Sequence, residues 1–246
     1  MEYRRRTYRE LVKGKGMVSF PVSLKDSDLL ISVDSESFSR ELKEKSLSVL
    51  SGIRSDLENY IVGDEEFQWT LIPHQLLPGA PRVARLMAVA ALRAGVGPMA
   101  AVAGAFAELV GRGLHSDIQE IIVENGGDIY FKTRHPIITG IFAGESPLSG
   151  RVGLRFSPRM NGCGVCTSSA TVGPSLSLGC TDAAIVVSHN AALADAVAST
   201  LGNLVHREKD ITPALEKVLE IRGIQGAVVI LGDKLGALGD VELVPL

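Results

Sequence analysis

Ile121-Ile-Val-Glu-Asn-Gly-Gly-Asp-Ile-Tyr-Phe131 carries the clearest fold signal in the chain. Two short runs of β-prone residues flank Asn125-Gly126-Gly127-Asp128, a composition typical of a tight turn. Paired glycines adopt the positive φ angles that a two-residue hairpin loop requires, so the stretch predicts two antiparallel strands. The same glycines would let a ligand approach the backbone without meeting a Cβ atom. Both interpretations of Glu124–Asp128 stay open.

Strand and helix patterns are interspersed on both sides of this hairpin without strict βαβ alternation. Three prolines mark an irregular connection before two apolar helices. The predicted strands are 17–22, 29–33, 152–156, 183–187, 227–231 and 241–244, and the predicted helices are 38–61, 82–94, 99–111, 191–205 and 213–221. We therefore predict an α+β fold in a single domain, residues 1–246, with a mainly antiparallel sheet packed with helices.

Charge and composition exclude several classes of function. A net charge of -3 and an aromatic content of 5% argue against a nucleic-acid partner. The basic residues among positions 4–15 are interpreted as a solvated edge, and no signal peptide follows them. The apolar region Leu86–Val110 contains Arg93 and is broken by Gly95-Val-Gly-Pro98, which predicts two core helices and no membrane span.

Three cysteines without a secretion signal indicate a reduced, cytoplasmic protein. Cys163 and Cys166 have the two-residue gap of metal and redox motifs. A zinc or cluster site needs further ligands, and no second cysteine pair or close histidine pair exists. We expect these cysteines to be buried and to pack as small hydrophobic residues.

Two further segments could carry chemistry. The stretch from Cys166 to Gly179 is rich in hydroxyl residues and could bind phosphate or carboxylate oxygens, or could be a polar surface loop. Asp195 and Ser199 are four apart on a predicted helix and so share one face. A carboxylate beside a hydroxyl suits Mg²⁺ completed by water and phosphate, although a helix-start aspartate with a neighbouring serine is an alternative.

Together and in this order, the three segments resemble the ApbE superfamily of FAD-dependent flavin transferases, over about residues 98–205. Gly126-Gly127-Asp128 matches the family's Gly-Gly-Asp motif, and Thr167-Ser168 matches its Thr-Ser element. Ala194–Ser199 matches its Ala-Asp-Ala-x-Ala-Thr helix, with serine in place of threonine. Because the Asp and Thr of that helix bind a divalent metal in the family, the resemblance implies Asp195 and Ser199 as metal ligands.

The runs Val123–Asp128 and Cys166–Gly179 resemble a smaller branch of this superfamily, for which the resemblance implies no defined reaction. It implies a tunnelling-fold-like domain with a pocket for a flavin-like or phosphorylated ligand, Mg²⁺ and FAD as candidate cofactors, and a protein as a further candidate partner. It also suggests a link to sulfur assimilation into homocysteine. The implied ligand-binding residues are Glu124, Asn125, Gly126, Gly127, Asp128, Thr167, Ser168 and Ser169.

Two departures from the family pattern bear on the reaction. The family's His-rich segment ending in Asp-Pro corresponds to Ser175–Asp182, which contains no histidine, and its Lys-Gly corresponds to Ala103-Gly104. A general base and a cofactor contact are therefore missing, which predicts absent or very weak flavin transfer. No catalytic residue is assigned. The alternatives are a transferase-like enzyme and a non-enzymatic flavin- or nucleotide-binding partner protein.

Overall fold

A computed structural model describes residues 16–172 and 177–246. Within these residues the chain forms eleven β-strands and six α-helices, with 3₁₀ turns at Pro98–Ala101, His115–Asp117 and Glu208–Asp210. In chain order the elements are β1 (Met17–Leu24), β2 (Ser27–Asp34), α1 (Arg40–Gly63), α2 (Glu66–Trp69), α3 (Arg82–Ala94), α4 (Val102–Gly113), β3 (Ile121–Asn125), β4 (Asp128–Thr133), β5 (Ile137–Gly140), β6 (Val152–Phe156), β7 (Arg159–Ser168), β8 (Ala183–Ser188), α5 (Ala191–Leu204), α6 (Ile211–Leu219), β9 (Ile224–Leu231), β10 (Lys234–Gly239) and β11 (Glu242–Pro245).

Eight strands form one antiparallel sheet in the order β1-β2-β3-β4-β7-β8-β9-β10. The β3–β4 hairpin is at its centre, with Asn125 paired to Asp128. Gly126 and Gly127 form its loop with φ angles of 71° and 106°, the left-handed region that the hairpin prediction requires. A second, three-stranded sheet has the order β11-β6-β5. The predicted fold, with its mainly antiparallel sheet packed with helices, is confirmed.

The large sheet lies between the helices and the small sheet, because its strands carry apolar side chains on both faces. In β3, Ile121 and Val123 join the helix-side core, whereas Ile122 joins the core shared with the small sheet. The same alternation holds in β8, where Val186 faces the helices and Ile185 faces the small sheet. Side chains of successive residues point to opposite faces, and this periodicity builds three layers.

Helix α5 packs directly on β7 and β8 and is covered by α3 and α4. Its first half is rich in alanine, which allows neighbouring backbones to come close. At Gly104 in α4, a Cβ atom would lie 2.3 Å from the carbonyl oxygen of Ala191 and 2.8 Å from Cβ of Asp195. Only glycine fits at this crossing, and the resulting close approach brings the start of α4 to Asp195.

Three strands were not predicted: β5, β7 and β10. Strand β7 contains Gly162 and Gly164, and glycines weaken a strand pattern although these two sit under Tyr130 and α5. The loop interpretation of Cys166–Gly179 is wrong for Cys166–Ser168, which end β7. Residues 173–176 of that segment and the basic residues at positions 4–15 lie outside the described residues.

Among the described residues, no single helix has the length and apolarity needed to cross a membrane. Only α3 taken together with Pro98–Gly113 meets that criterion, and the two parts are bent by 103°.

Candidate functional site

Asp195 lies in the second turn of α5 and reaches the first turn of α4. Its Oδ2 accepts the backbone N–H of Gly104 at 2.8 Å. The N-cap residue of α4 is Ala101, which has no side chain able to accept a hydrogen bond. Asp195 therefore caps α4 from a neighbouring helix. Ser199 follows one turn later on α5, and both residues are half-buried.

Asp128 forms a second carboxylate close enough to Asp195 for the two to repel each other. It is 7% exposed, accepts the N–H of Thr167 at 3.2 Å and also accepts a hydrogen bond from the Cys166 thiol. Burial, followed by the charge of Glu124, raises the pKa of Asp128. Burial and the charge of Asp128 raise the pKa of Asp195 well above its usual range, although the N–H groups of Gly104 and Ala103 oppose this. The pair favours a state that holds a proton.

The Cys166 thiol lies next to Asp128 and to the first turn of α5. Its Sγ is 3.3 Å from the carbonyl oxygen of Ala191. Burial, then the charges of Asp128 and Asp195, raise the pKa of Cys166 well above its usual range. Cys163 lies on the opposite face of β7, as an odd spacing along a strand requires, and both cysteines are buried and free. They cannot jointly ligate an ion.

The β3–β4 turn is tied to the same region. Glu124 Oε1 accepts the N–H of Gly127 at 2.9 Å, and Asn125 Nδ2 donates to the carbonyl oxygen of Ala103 at 3.1 Å. Cβ atoms placed on Gly126 or Gly127 would meet nothing within 4 Å, so the loop faces open space. The hairpin interpretation is confirmed, and the role of the turn in ligand binding stays a prediction.

The hydroxyl residues are distributed unevenly around the acid pair. Thr167 is half-buried beside Asp128, and Ser168 is 5% exposed at the end of β7. Ser169 Oγ accepts the N–H groups of Thr171 and Val172 at 3.1 and 3.0 Å, which stabilises the turn that follows. The structure thus brings together Asp128, Asp195 and the backbone N–H of Thr167, whereas the Thr167 side chain follows Cys166 in β7 and so points to the opposite face, and the Ser169 hydroxyl is engaged locally.

Sequence reasoning did not single out Glu108 or assign a polar role to Cys166. Glu108 is 3% exposed on α4, next to the start of α5. An acidic residue inside an otherwise apolar helix could have signalled it, because a buried glutamate is rare unless it is paired. Cys166 gave no such signal, since a cysteine in a strand reads as a small apolar residue.

A cavity of about 220 Å³ lies between α1, α3 and α4, and a second of about 290 Å³ lies between α3 and α4, where Glu108 borders it. Both are bordered by Arg82 and Leu109, and neither is bordered by Asp128 or Asp195. In the described part of the chain, no three side chains of His, Cys, Asp or Glu are grouped so as to hold a metal ion.

The fold and this arrangement define an ApbE-like protein. The chain belongs to the family described as "AbpE bacteria", whose model matches residues 9–243. It is 44% identical over 194 residues to a UPF0280 protein of Methanocella arvoryzae, covering 78% of this chain and 79% of that one. It is 39% identical over 229 residues to a UPF0280 protein of Methanocaldococcus jannaschii, covering 91% of each.

Two solved structures share the fold. The ApbE protein of Thermotoga maritima superposes with a TM-score of 0.56 at 10% identity, covering 89% of this chain and 96% of that one. The flavinyl transferase ApbE of Pseudomonas stutzeri, in its apo form, superposes with a TM-score of 0.52 at 14% identity, covering 93% and 94%. At these identities the likeness concerns the fold alone.

Proposed function

We propose that this protein binds a phosphorylated or flavin-like ligand, FAD in the first instance, together with Mg²⁺ at the end of β7 and the exposed side of α5. The whole chain, residues 1–246, would form one domain around this site. The observation that carries the proposal is the approach of Asp195, half-buried on α5, to the buried Asp128. Burial, together with the charge of Asp128, raises the pKa of Asp195. Strongly perturbed carboxylates of this kind cluster at functional sites. The named reaction of the Pseudomonas stutzeri relative, flavinyl transfer, supports a flavin as the first ligand to test.

The donor set around Asp195 fits Mg²⁺ when a phosphorylated ligand is also present. Mg²⁺ in nucleotide sites is commonly held by one or two carboxylates, with phosphate and water oxygens completing six positions. Asp195 and Ser199 would supply the protein oxygens. When bound, the ion would neutralise ligand phosphate charge. Mg²⁺ alone should bind weakly, because the described protein residues do not offer three grouped ligands of their own.

The remaining predicted residues would shape the ligand site. Gly126 and Gly127 would admit the ligand, since the turn faces open space. Thr167 and Ser168 would bind ligand oxygens, as would Ser169 if its turn opens. Glu124, Asn125 and Asp128 would hold the turn and strand ends in place, in line with the bonds from Glu124 to Gly127 and from Asn125 to Ala103.

Weak or absent flavin transfer is part of the proposal. Four of the five histidines are hydrogen-bonded away from the acid pair: His74 to Asp64, His115 to Tyr130, His135 to Glu120 and His189 to Gln225. This supports a ligand-binding role over transfer to a threonine, with transferase chemistry as the enzymatic alternative. Three free cysteines are in line with a reduced, cytoplasmic setting. The link to sulfur assimilation stays a prediction from the sequence.

Substitution of Asp195 by Asn tests the metal role. Thermal melts of both proteins are recorded with Mg²⁺, with FAD and with both. We expect the wild-type protein to show an upward Tm shift with the pair that exceeds the sum of the single shifts, and D195N to lose this excess. Asp56→Asn, an exposed helical aspartate, serves as the matched control. A wild-type protein without any shift would refute ligand binding, and equal shifts in D195N would refute the metal role.

Covalent transfer is tested separately, with FAD, Mg²⁺ and a threonine-containing acceptor peptide. We expect FAD to bind without labelling the peptide. Robust attachment of FMN to the threonine would overturn the binding-protein proposal and assign the site a transferase reaction.

A further inference from the structure

Helices α4 and α5 cap each other's N-termini through acidic side chains. Asp195 on α5 accepts the N–H of Gly104 in α4 at 2.8 Å. In return, Oε2 of Glu108 on α4 accepts the N–H groups of Ala191 and Ala192 in α5 at 2.8 and 3.5 Å. Each helix therefore supplies a side-chain oxygen that accepts an N–H group at the start of the other.

Neither helix satisfies these N–H groups with its own cap. Ala101 precedes α4 and has no accepting side chain. Asn190 precedes α5, but its side chain accepts the N–H of Leu193 at 2.7 Å and so leaves Ala191 and Ala192 to Glu108. The first N–H groups of a helix have no partner within the helix. The side chains of Asp195 and Glu108 therefore accept N–H groups that the residues preceding each helix do not accept through their own side chains.

The geometry couples the two contacts. Gly104 and Glu108 are one turn apart on α4, and Ala191 and Asp195 are one turn apart on α5. One contact joins Gly104 to Asp195 and the other joins Glu108 to Ala191. The two turns therefore run antiparallel and are hydrogen-bonded to each other at each end. Loss of the contact at Ala191 would remove one of the two hydrogen-bonded ties between these helix turns.

Glu108 is itself held in place by a third group. Its side chain is 4% exposed, and Oε1 accepts from Arg112 Nε at 2.8 Å. The Arg112 guanidinium lies 5.4 Å from the ring centroid of Tyr130, a cation–π distance. The buried charge of Glu108 is thus compensated on one side by a helix N-terminus and on the other by Arg112.

We propose that Glu108 is a positioning residue for Asp195. By binding the start of α5, it sets the register in which Asp195 reaches Gly104 and faces the ligand site. Its effect on ligand binding rests on the function proposed above. Its effect on the position of Asp195 does not, so the two can fail separately.

Amide hydrogen exchange measures the positioning directly. Glu108→Met keeps the side-chain length but removes the hydrogen-bond acceptor. We expect it to accelerate amide exchange at Ala191 and at Gly104 by about tenfold each, after correction for the change at Val186 in β8, which reports the overall loss of stability. Glu108→Gln retains an oxygen acceptor and should restore most of the protection at both amides. It also provides a folded variant if Glu108→Met does not fold.

Arg112→Gln is the control for a purely structural role. It removes the ion pair but leaves the Glu108 carboxylate able to cap α5. After correction for the change at Val186, the Gly104 amide should therefore exchange at the wild-type rate. Unchanged exchange at Gly104 in Glu108→Met would overturn the proposal, because Asp195 would then hold its position without Glu108.

Ligand binding gives the second readout. If the wild-type protein shows the combined Mg²⁺ and FAD shift, Glu108→Met should weaken it at least about fivefold in affinity, while Arg112→Gln should lower Tm without changing affinity. Equal affinities in all three proteins would refute the effect on binding. If the wild-type protein binds neither compound, the proposed function fails while the exchange result still decides the positioning role.

Discussion

Two buried aspartates in this protein have almost the same exposure and opposite electrostatics. Asp64, which follows α1, is 8% exposed, and Asp128 at the start of β4 is 7% exposed. Burial acts to raise the pKa of Asp64, but donors from Tyr60 and His74 outweigh it and leave that pKa lowered. Burial and the charge of Glu124 raise the pKa of Asp128 to about 7.

The difference lies in what surrounds each carboxylate. Tyr60 donates to Asp64 at 2.7 Å, and His74 Nε2 lies 2.9 Å from it, close to the protein surface. Among the described residues, Thr167 and Cys166 donate to Asp128, and Asp195 lies close enough for its pKa to be raised by the charge of Asp128. Burial alone therefore does not identify a functional acid. Acids with strongly perturbed pKa values cluster at functional sites, and in this respect Asp128 differs from Asp64.

The largest effect should come from removal of the well-satisfied acid. Asp64→Ala leaves the Tyr60 hydroxyl and the His74 ring without their partner, which we expect to lower the free energy of unfolding by about 2–3 kcal/mol. Urea denaturation measures it, with Asp56→Ala, an exposed position in α1, as a control that should change it by less than about 0.5 kcal/mol. Similar losses of unfolding free energy in both variants would show that the contacts of Asp64 with Tyr60 and His74 do not stabilise the fold.

Removal of the poorly satisfied acid should have the opposite sign. The folded-state pKa of Asp128 is raised, so its unfavourable contribution is absent below the unfolded pKa of about 3.9 and grows until the pH passes the folded value of about 7. Asp128→Asn keeps an acceptor for the Thr167 N–H. We expect it to stabilise the protein by about 1–2 kcal/mol at pH 8 and by almost nothing at pH 4.

Denaturation curves at several pH values test that prediction. A stabilisation independent of pH would mean that it comes from packing, and a destabilisation at pH 8 would mean that the ionised carboxylate is satisfied by contacts stronger than those from Thr167 and Cys166.

The smallest expected effect is the pH dependence of the stabilisation that Asp64 provides. Because the folded-state pKa of Asp64 is lowered, its stabilisation is present above the unfolded pKa and is lost as the pH falls through the folded value. The stability difference between the wild-type protein and Asp64→Asn should shrink between pH 5 and pH 2, read as a change in Tm. Tyr60 and His74 are the titratable groups that face it. A difference that grows on acidification would contradict this assignment.

The sequence by itself determined the central hairpin and most of the helices and strands. Gly126 and Gly127 require positive φ between two β-prone runs, and this is a local property of the backbone. The four-residue spacing of Asp195 and Ser199 likewise placed them on one helix face, because the helical repeat alone dictates it. These features depend on neighbours within a few residues, so the sequence shows them directly.

Only the tertiary structure decided what Asp195 contacts. Gly104 and Asp195 are far apart in sequence and meet because a backbone crossing admits no Cβ atom at position 104. Strand β7 was not predicted for a related reason. Its glycines leave room for the Tyr130 ring and for α5, which pack against them, but glycines also weaken the strand pattern in the sequence. The raised pKa of Asp195 arises from burial and from the charge of Asp128 on a strand distant in sequence. Such effects depend on distances between distant segments, which no local pattern encodes.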